Sequence, residues 1–224
     1  QVLTLNRAVA GDVTLTASGL DNFESLTINI NSSSDRVLIG SASLTLEDAV
    51  IVTQGILEGA VDLTFNDTLS IGASGLVRSL VQNTTHTFNG DVTLNGVLRF
   101  APAGNGGIDA LFAEGVSLDT SGGGALQVVG QPNSPNYVVL RDSTDTLGPP
   151  SDGNGDLTFD ITAEWRLVAG GTISIDRARI QDCFVTADAT ASTSLDEGGN
   201  NLNPPLAFGW DFSAKSTTWT RNGA

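Results

Sequence analysis

Gly171-Thr-Ile-Ser-Ile-Asp-Arg-Ala-Arg-Ile-Gln-Asp-Cys-Phe-Val185 carries the pattern that decides the fold. Its apolar residues alternate with polar ones in short pairs: Ile173 with Ile175, Ala178 with Ile180, Cys183 with Val185. Alternation at period two marks a half-buried strand. A hairpin protein would place Asn-Gly or Asp-Gly between such pairs. Here brief polar steps turn the chain instead, as expected where short strands coil round one axis.

The same grammar extends towards the N-terminus. Val37-Leu-Ile39, Ser43-Leu-Thr-Leu46, Ala49-Val-Ile-Val52, Gly55-Ile-Leu57, Val61-Asp-Leu-Thr-Phe65 and Leu69-Ser-Ile71 begin six to eight residues apart. That is denser than the turn signals of a sandwich, which come every ~8–12 residues. Before them stand Val2-Leu-Thr-Leu5, Asp12-Val-Thr-Leu-Thr16 and Leu26-Thr-Ile-Asn-Ile30; after them, Val92-Thr-Leu94, Val97-Leu-Arg-Phe100, Val116-Ser-Leu118 and Leu126-Gln-Val-Val129. Gly11-Asp-Val-Thr-Leu15 recurs as Gly90-Asp-Val-Thr-Leu94, an internal echo. The expected fold is all-β, a parallel β-helix (β-solenoid) of short strands over residues 1–212. At ~20–25 residues per coil it would have about nine or ten coils and a length of about 45 Å. Residues 107–114 read as a short helix or a loop. Residues 131–156, rich in Pro, Ser, Asp and Gly, read as a loop-rich insertion holding one strand, Tyr137-Val-Val-Leu-Arg141. Residues 213–224 read as a tail or linker to a following module. The alternative fold is two β-sandwich domains that meet near residue 131.

Composition limits the functions. The 25 acidic against 10 basic residues give a net charge of −15, which repels phosphate backbones and argues against nucleic acid. It suits solubility, or divalent-cation binding through Asp and Asn. No run approaches the ~18 apolar residues of a membrane helix, so no membrane insertion is expected. Cys183 is the only cysteine and reads as a small buried hydrophobe. With no Met and a start at Gln1, the chain reads as a fragment or a mature segment.

The 125–212 region resembles the final coils of right-handed parallel β-helices in large bacterial secreted surface proteins. The residues that carry the likeness are Gly124-Ala-Leu-Gln-Val-Val-Gly130, Tyr137-Val-Val-Leu-Arg141, Trp165, Ala178-Arg-Ile-Gln-Asp-Cys-Phe-Val-Thr186 and Gly198-Gly-Asn-Asn201 before Gly209-Trp-Asp-Phe212. Residues 12–75 resemble the Thr- and Gly-rich coils of filamentous haemagglutinin-like and autotransporter-like adhesin passengers. In such proteins a Trp-Thr pair often opens the next module, and Trp219-Thr220 stands at that place. The resemblance implies an extracellular or bacterial cell-surface structural module without catalysis. It implies no particular ligand. The leading reading that follows is a rod whose loops present a binding face, with adjacent modules or copies of itself joined end to end as partners and cell-surface carbohydrate as a further candidate.

Parallel β-helices also host polysaccharide lyases and hydrolases. A polygalacturonase-like site would have Asn-Thr-Asp, Asp-Asp, Gly-His-Gly and Arg-Ile-Lys. This chain has Asn66-Asp-Thr68, no Asp-Asp pair, Thr85-His-Thr87 and Arg179-Ile-Gln181. The catalytic candidates left are Asp176, Arg177, Arg179 and Asp182. On one strand Arg177 and Arg179 would share a face, with the two carboxylates at flanking turns. Such a group suits a sugar acid or acid/base chemistry; the plainer reading is a surface ion-pair ladder.

The metal candidate is Asp152-Gly-Asn154-Gly-Asp156 with Asp160, whose oxygens at alternate positions match the start of a calcium loop. Leu157 stands where the loop's Gly belongs and Ala163 where its bidentate Glu belongs, so an Asx-rich turn is the alternative. Asp196, Glu197, Asn200 and Asn201 form a second oxygen-rich stretch. A calcium-dependent carbohydrate-binding module is the third function considered. Trp165 and Trp210 read as core-capping residues or as sugar-stacking ones.

Overall fold

Short runs that alternate apolar residues with Thr, Ser or Asn bury one face and solvate the other, and the strands do so. In Thr84–Phe88, for example, Thr84, His86 and Phe88 are buried while Thr85 and Thr87 are partly exposed. The computed structural model describes residues 2–7, 11–15, 22–23, 25–30, 35–40, 43–104, 106–130, 138–143, 165–180, 183–187, 189–192, 194–196 and 210–211. Among these there is no helix.

The strands come in tiers of three. The first tier is β1 (Val2–Arg7), β2 (Val13–Leu15) and β3 (Asn22–Phe23); the second is β4 (Ser25–Ile30), β5 (Arg36–Ile39) and β6 (Leu44–Leu46). In the third, the long β7 (Val50–Gly59) supplies both of the first two positions before β8 (Leu63–Phe65). In the fourth, β9 (Leu69–Ser79) does the same before β10 (Thr84–Phe88). Next come β11 (Val92–Leu94), β12 (Val97–Phe100) and β13 (Ile108–Phe112), then β14 (Ser117–Asp119), β15 (Ala125–Val129) and β16 (Val138–Asp142). The last two tiers are β17 (Trp165–Val168), β18 (Thr172–Asp176) and β19 (Ala178–Ile180), and β20 (Cys183–Val185), β21 (Ala189–Ser192) and β22 (Leu195–Asp196). A further strand, β23 (Trp210–Asp211), pairs with β21.

Each strand pairs with its counterpart in the tiers before and after, and every described pairing is parallel. This gives three columns of stacked strands. No antiparallel hairpin of the kind two sandwiches require occurs among the described residues. Register partners lie 19 residues apart at Val50 and Leu69, and 26 at Val92 and Leu118. The step from Leu118 to Leu167 takes 49 residues, and the described residues hold eight tiers and one extra strand where nine or ten coils are expected. Residues 107–114, expected as helix or loop, hold β13. Ile108, Ala110 and Phe112 face inward, while the outward Leu111 hides the alternation. The expected strand at 137–141 is β16, shifted by one residue; residues 131–137, 144–164 and 212–224 lie outside the described residues.

Stacking turns alternation into continuous rows. Leu26, Val50, Leu69, Val92, Leu118, Leu167 and Val185 are successive register partners, all buried. Cys183 is buried too. An aromatic row runs beside them. Phe65 and Phe88 stack at 5.1 Å, Phe88 and Phe112 at 5.1 Å, and Phe112 and Trp165 at 4.4 Å. Such pairs add about 0.5–1.5 kcal/mol each beyond the area they bury. Trp165 is therefore a core residue, closed to any sugar.

One corner admits only glycine. Gly75, Gly96 and Gly124 each precede a strand segment whose first residues, Leu76, Val97 and Ala125, are register partners. A Cβ at Gly96 would run into the carbonyl oxygens of Gly72 and Gly75, and one at Gly124 into those of Leu94 and Gly96. Thr120, in the same tier as Gly124, closes this corner against the tier that follows. Its buried hydroxyl donates to Val168 O at 3.1 Å and accepts from Gly170 N and Gly171 N, each at 3.1 Å.

Candidate functional site

Beside His86 lies a cavity of about 10 Å³, lined by Leu63, Phe65, Ser79, Phe88 and Phe100 among others, the room of a single water molecule. Among the described residues, three groups of charged side chains stand on the outward faces.

The first group contains the sequence candidates. Asp176 ends β18 and Arg179 lies in β19, but Arg177 sits between the two strands with a φ of 56°. Arg177 and Arg179 therefore do not share a face of one strand: the chain bends at Arg177. Arg177 Nη1 donates to Asp176 Oδ2 at 2.6 Å and to Gly130 O at 3.5 Å. Both side chains are about a third exposed, so the pair contributes little to stability. Asp182, and Asp152, Asn154, Asp156 and Asp160 of the calcium candidate, lie outside the described residues, as do Glu197, Asn200 and Asn201; Asp196 ends β22.

Arg179 belongs to a second group that sequence reading missed. Asp109, Val139 and Arg179 are register partners on the outward side of the third column. Arg141 stands two residues further along β16 than Val139. Burial pushes the Asp109 carboxyl above its ordinary value, and the positive charges of Arg141 and Arg179 oppose that shift. Val139 is only 5% exposed although it lies outside the core cluster, and the Nε of Arg141 is buried with no hydrogen-bond partner. Strand register thus sets one carboxyl and two guanidiniums on one outward face. Asp109, Arg141 and Arg179 are far apart in the chain and join only through strand register, so no local spacing announces them.

The third group is a charge ladder on the outward side of the second column. Arg36 donates through Nε to Asp12 at 2.7 Å and through Nη1 to Glu58 at 3.0 Å. Arg78 donates to the other Glu58 oxygen from Nε at 2.7 Å. The hydrogen bond from Arg36 holds the Asp12 carboxyl below its ordinary value. Asp12 and then Glu58 raise the Arg36 guanidinium. Glu58 is 6% exposed, so this carboxylate depends on its two partners. The row continues by register from Arg78 to Arg99, Gln127 and Ser174.

His86, inside, is 3% exposed and its Nε2 has no partner. Burial lowers its pKa to about 4, against a raising effect from Asp62, so the imidazole is neutral at physiological pH. Among the described residues no group of three or more His, Cys, Asp or Glu side chains is placed to hold a metal ion. Comparison of the chain with family models, with characterised proteins and with solved structures finds no match.

Proposed function

We propose that the chain is a parallel β-helix that serves as a non-enzymatic module of a bacterial extracellular or cell-surface fibre. It would act as a stiff rod whose outward faces adhere to carbohydrate and whose ends join adjacent modules or copies of itself. One observation carries this reading: eight tiers of parallel strands stack in three columns over a single continuous core. Such stacking resists bending because each tier is held by the next. Parallel strands stacked in this way can add further tiers by the same backbone pairing, from an adjacent module or from another copy. Electron microscopy and size-exclusion chromatography over a wide concentration range test it. Rods that lengthen with concentration are expected; a monomer at every concentration removes self-association.

A second reading, a polysaccharide lyase or hydrolase, is favoured by Asp109 with its raised carboxyl beside Arg141 and Arg179. Reducing-end and unsaturated-product assays on a polysaccharide panel decide it. Activity that is lost in Asp109→Asn and Arg179→Ala would establish the enzyme; an inactive wild type would end it.

A further inference from the structure

We infer that the outward row Arg78–Arg99–Gln127–Ser174 binds a carboxylate-bearing polysaccharide, with Arg99 as its principal anion contact. The register places these four side chains on consecutive parallel strands. Neighbouring strands lie about 4.8 Å apart, so the row runs roughly 14 Å, the reach of a short oligosaccharide. Up to Arg78 the ladder alternates in sign: Asp12, Arg36, Glu58, Arg78. At Arg99 the alternation fails. Arg99 is exposed and has another guanidinium on one side and the Gln127 amide on the other. Arg78 is already neutralised by Glu58, so the uncompensated charge of the row is that of Arg99, which has no carboxylate among its register neighbours; an external carboxylate would supply the missing partner. The Arg fork matches a carboxylate, while Gln127 and Ser174 continue the row with groups that bond sugar hydroxyls. The adjoining outward row, Leu76, Val97 and Ala125, is apolar and partly exposed, a fit for the C–H faces of pyranose rings.

A peptide is the poorer occupant. β9, β12, β15 and β18 are each paired on both sides, so the row has no free strand edge, and strand addition is one of the main ways sheets hold peptides. Duplex nucleic acid carries one charge per ~1.7 Å, so this acidic protein repels it more strongly than it repels a polyuronate. A polyuronate carries only one charge per sugar.

This inference rests on the adhesive reading above, yet the two fail separately: assembly is read by sizing, and ligand binding by calorimetry on the full chain. Oligogalacturonate at low salt is the probe, with a neutral glucan of equal length as control. The expected result is a saturable signal for oligogalacturonate alone, weakened by added salt. Arg99→Gln should weaken it about tenfold, the loss of one charge-assisted fork. Arg166→Gln, which removes an exposed charge from the first column, should leave it within about twofold, as a loss outside the row. No binding by the wild type, equal binding of the neutral glucan, or equal loss in both variants overturns the assignment. Circular dichroism of each variant confirms that the sheet is intact; if Arg99→Gln were unfolded, Arg99→Lys, which keeps the charge and loses the fork, takes its place.

Discussion

Nη2 of Arg78 lies 2.5 Å from Oε2 of Glu58, on the outward side of a sheet where that carboxylate is nonetheless almost closed to water. Arg36 takes the other oxygen. Removing the carboxylate would leave two guanidiniums facing each other across one strand. Glu58→Ala should therefore lose about 2 kcal/mol, less than a fully buried pair because both arginines are partly solvated. Asp12→Ala, whose side chain is half exposed, should lose much less, because solvent screens the pair. Urea denaturation of both variants measures the difference; equal losses would mean that the burial of Glu58 has no energetic weight.

Gly96 makes a second test. With no side chain it lets the corner pass beside the carbonyl oxygens of Gly72 and Gly75. Backbone has no rotamer by which to yield, so Gly96→Ala should cost about 1–3 kcal/mol, the range of overpacked interiors. At Gly40 an added Cβ would meet, among the described residues, the Leu38 side chain at 3.7 Å. Gly40→Ala should be neutral or stabilise by up to about 1 kcal/mol through the unfolded chain. Thermal melting of the two variants checks the contrast.

The sheet rows were legible in the sequence because Leu26, Val50, Leu69 and Val92 each stand in a clear alternation, and alternation alone decides which face is inward. Where buried residues are polar the signal fails. Ser79, Thr84 and His86 all face inward, so β10 is legible only at Thr87-Phe88, and the second half of β9 hides behind Gly72, Ala73, Ser74 and Gly75. The charged groups were less legible still. Asp12 and Arg36 are 24 residues apart, Arg36 and Glu58 22, Glu58 and Arg78 20. Their meeting depends on the length of every intervening turn. By contrast Asp176, Arg177 and Arg179 drew notice because they are close in sequence, and the bend at Arg177 separates two of them.

Thr120 offers a third prediction. Its hydroxyl uses its one donor and both acceptor positions in a site closed to water. Thr120→Val keeps the shape and strands two backbone N–H groups. The expected loss is about 1–3 kcal/mol. Thr120→Ser, which keeps the oxygen, should recover most of it. If Val and Ser variants melt together, the hydroxyl is not the group that holds the corner.

His86 ties stability to pH. Folding lowers its pKa from 6.5 to about 4 because burial disfavours the imidazolium. As pH falls below about 6.5 the unfolded chain binds a proton that the folded chain refuses, so stability declines until the folded imidazole also titrates near 4. At roughly 1.4 kcal/mol for each pH unit of that window, the decline approaches about 3 kcal/mol. Asp62 favours its protonation, and Arg78, which lines the same cavity, is paired to Glu58. In the row His86 stands between Leu63 and Ala110, so a leucine there meets apolar partners. His86→Leu should flatten the stability profile between pH 6.5 and 4 while the wild type slopes downward on acidification. Chemical denaturation at several pH values in that window gives both profiles, and parallel slopes would assign the acid sensitivity to carboxylates instead of the buried imidazole.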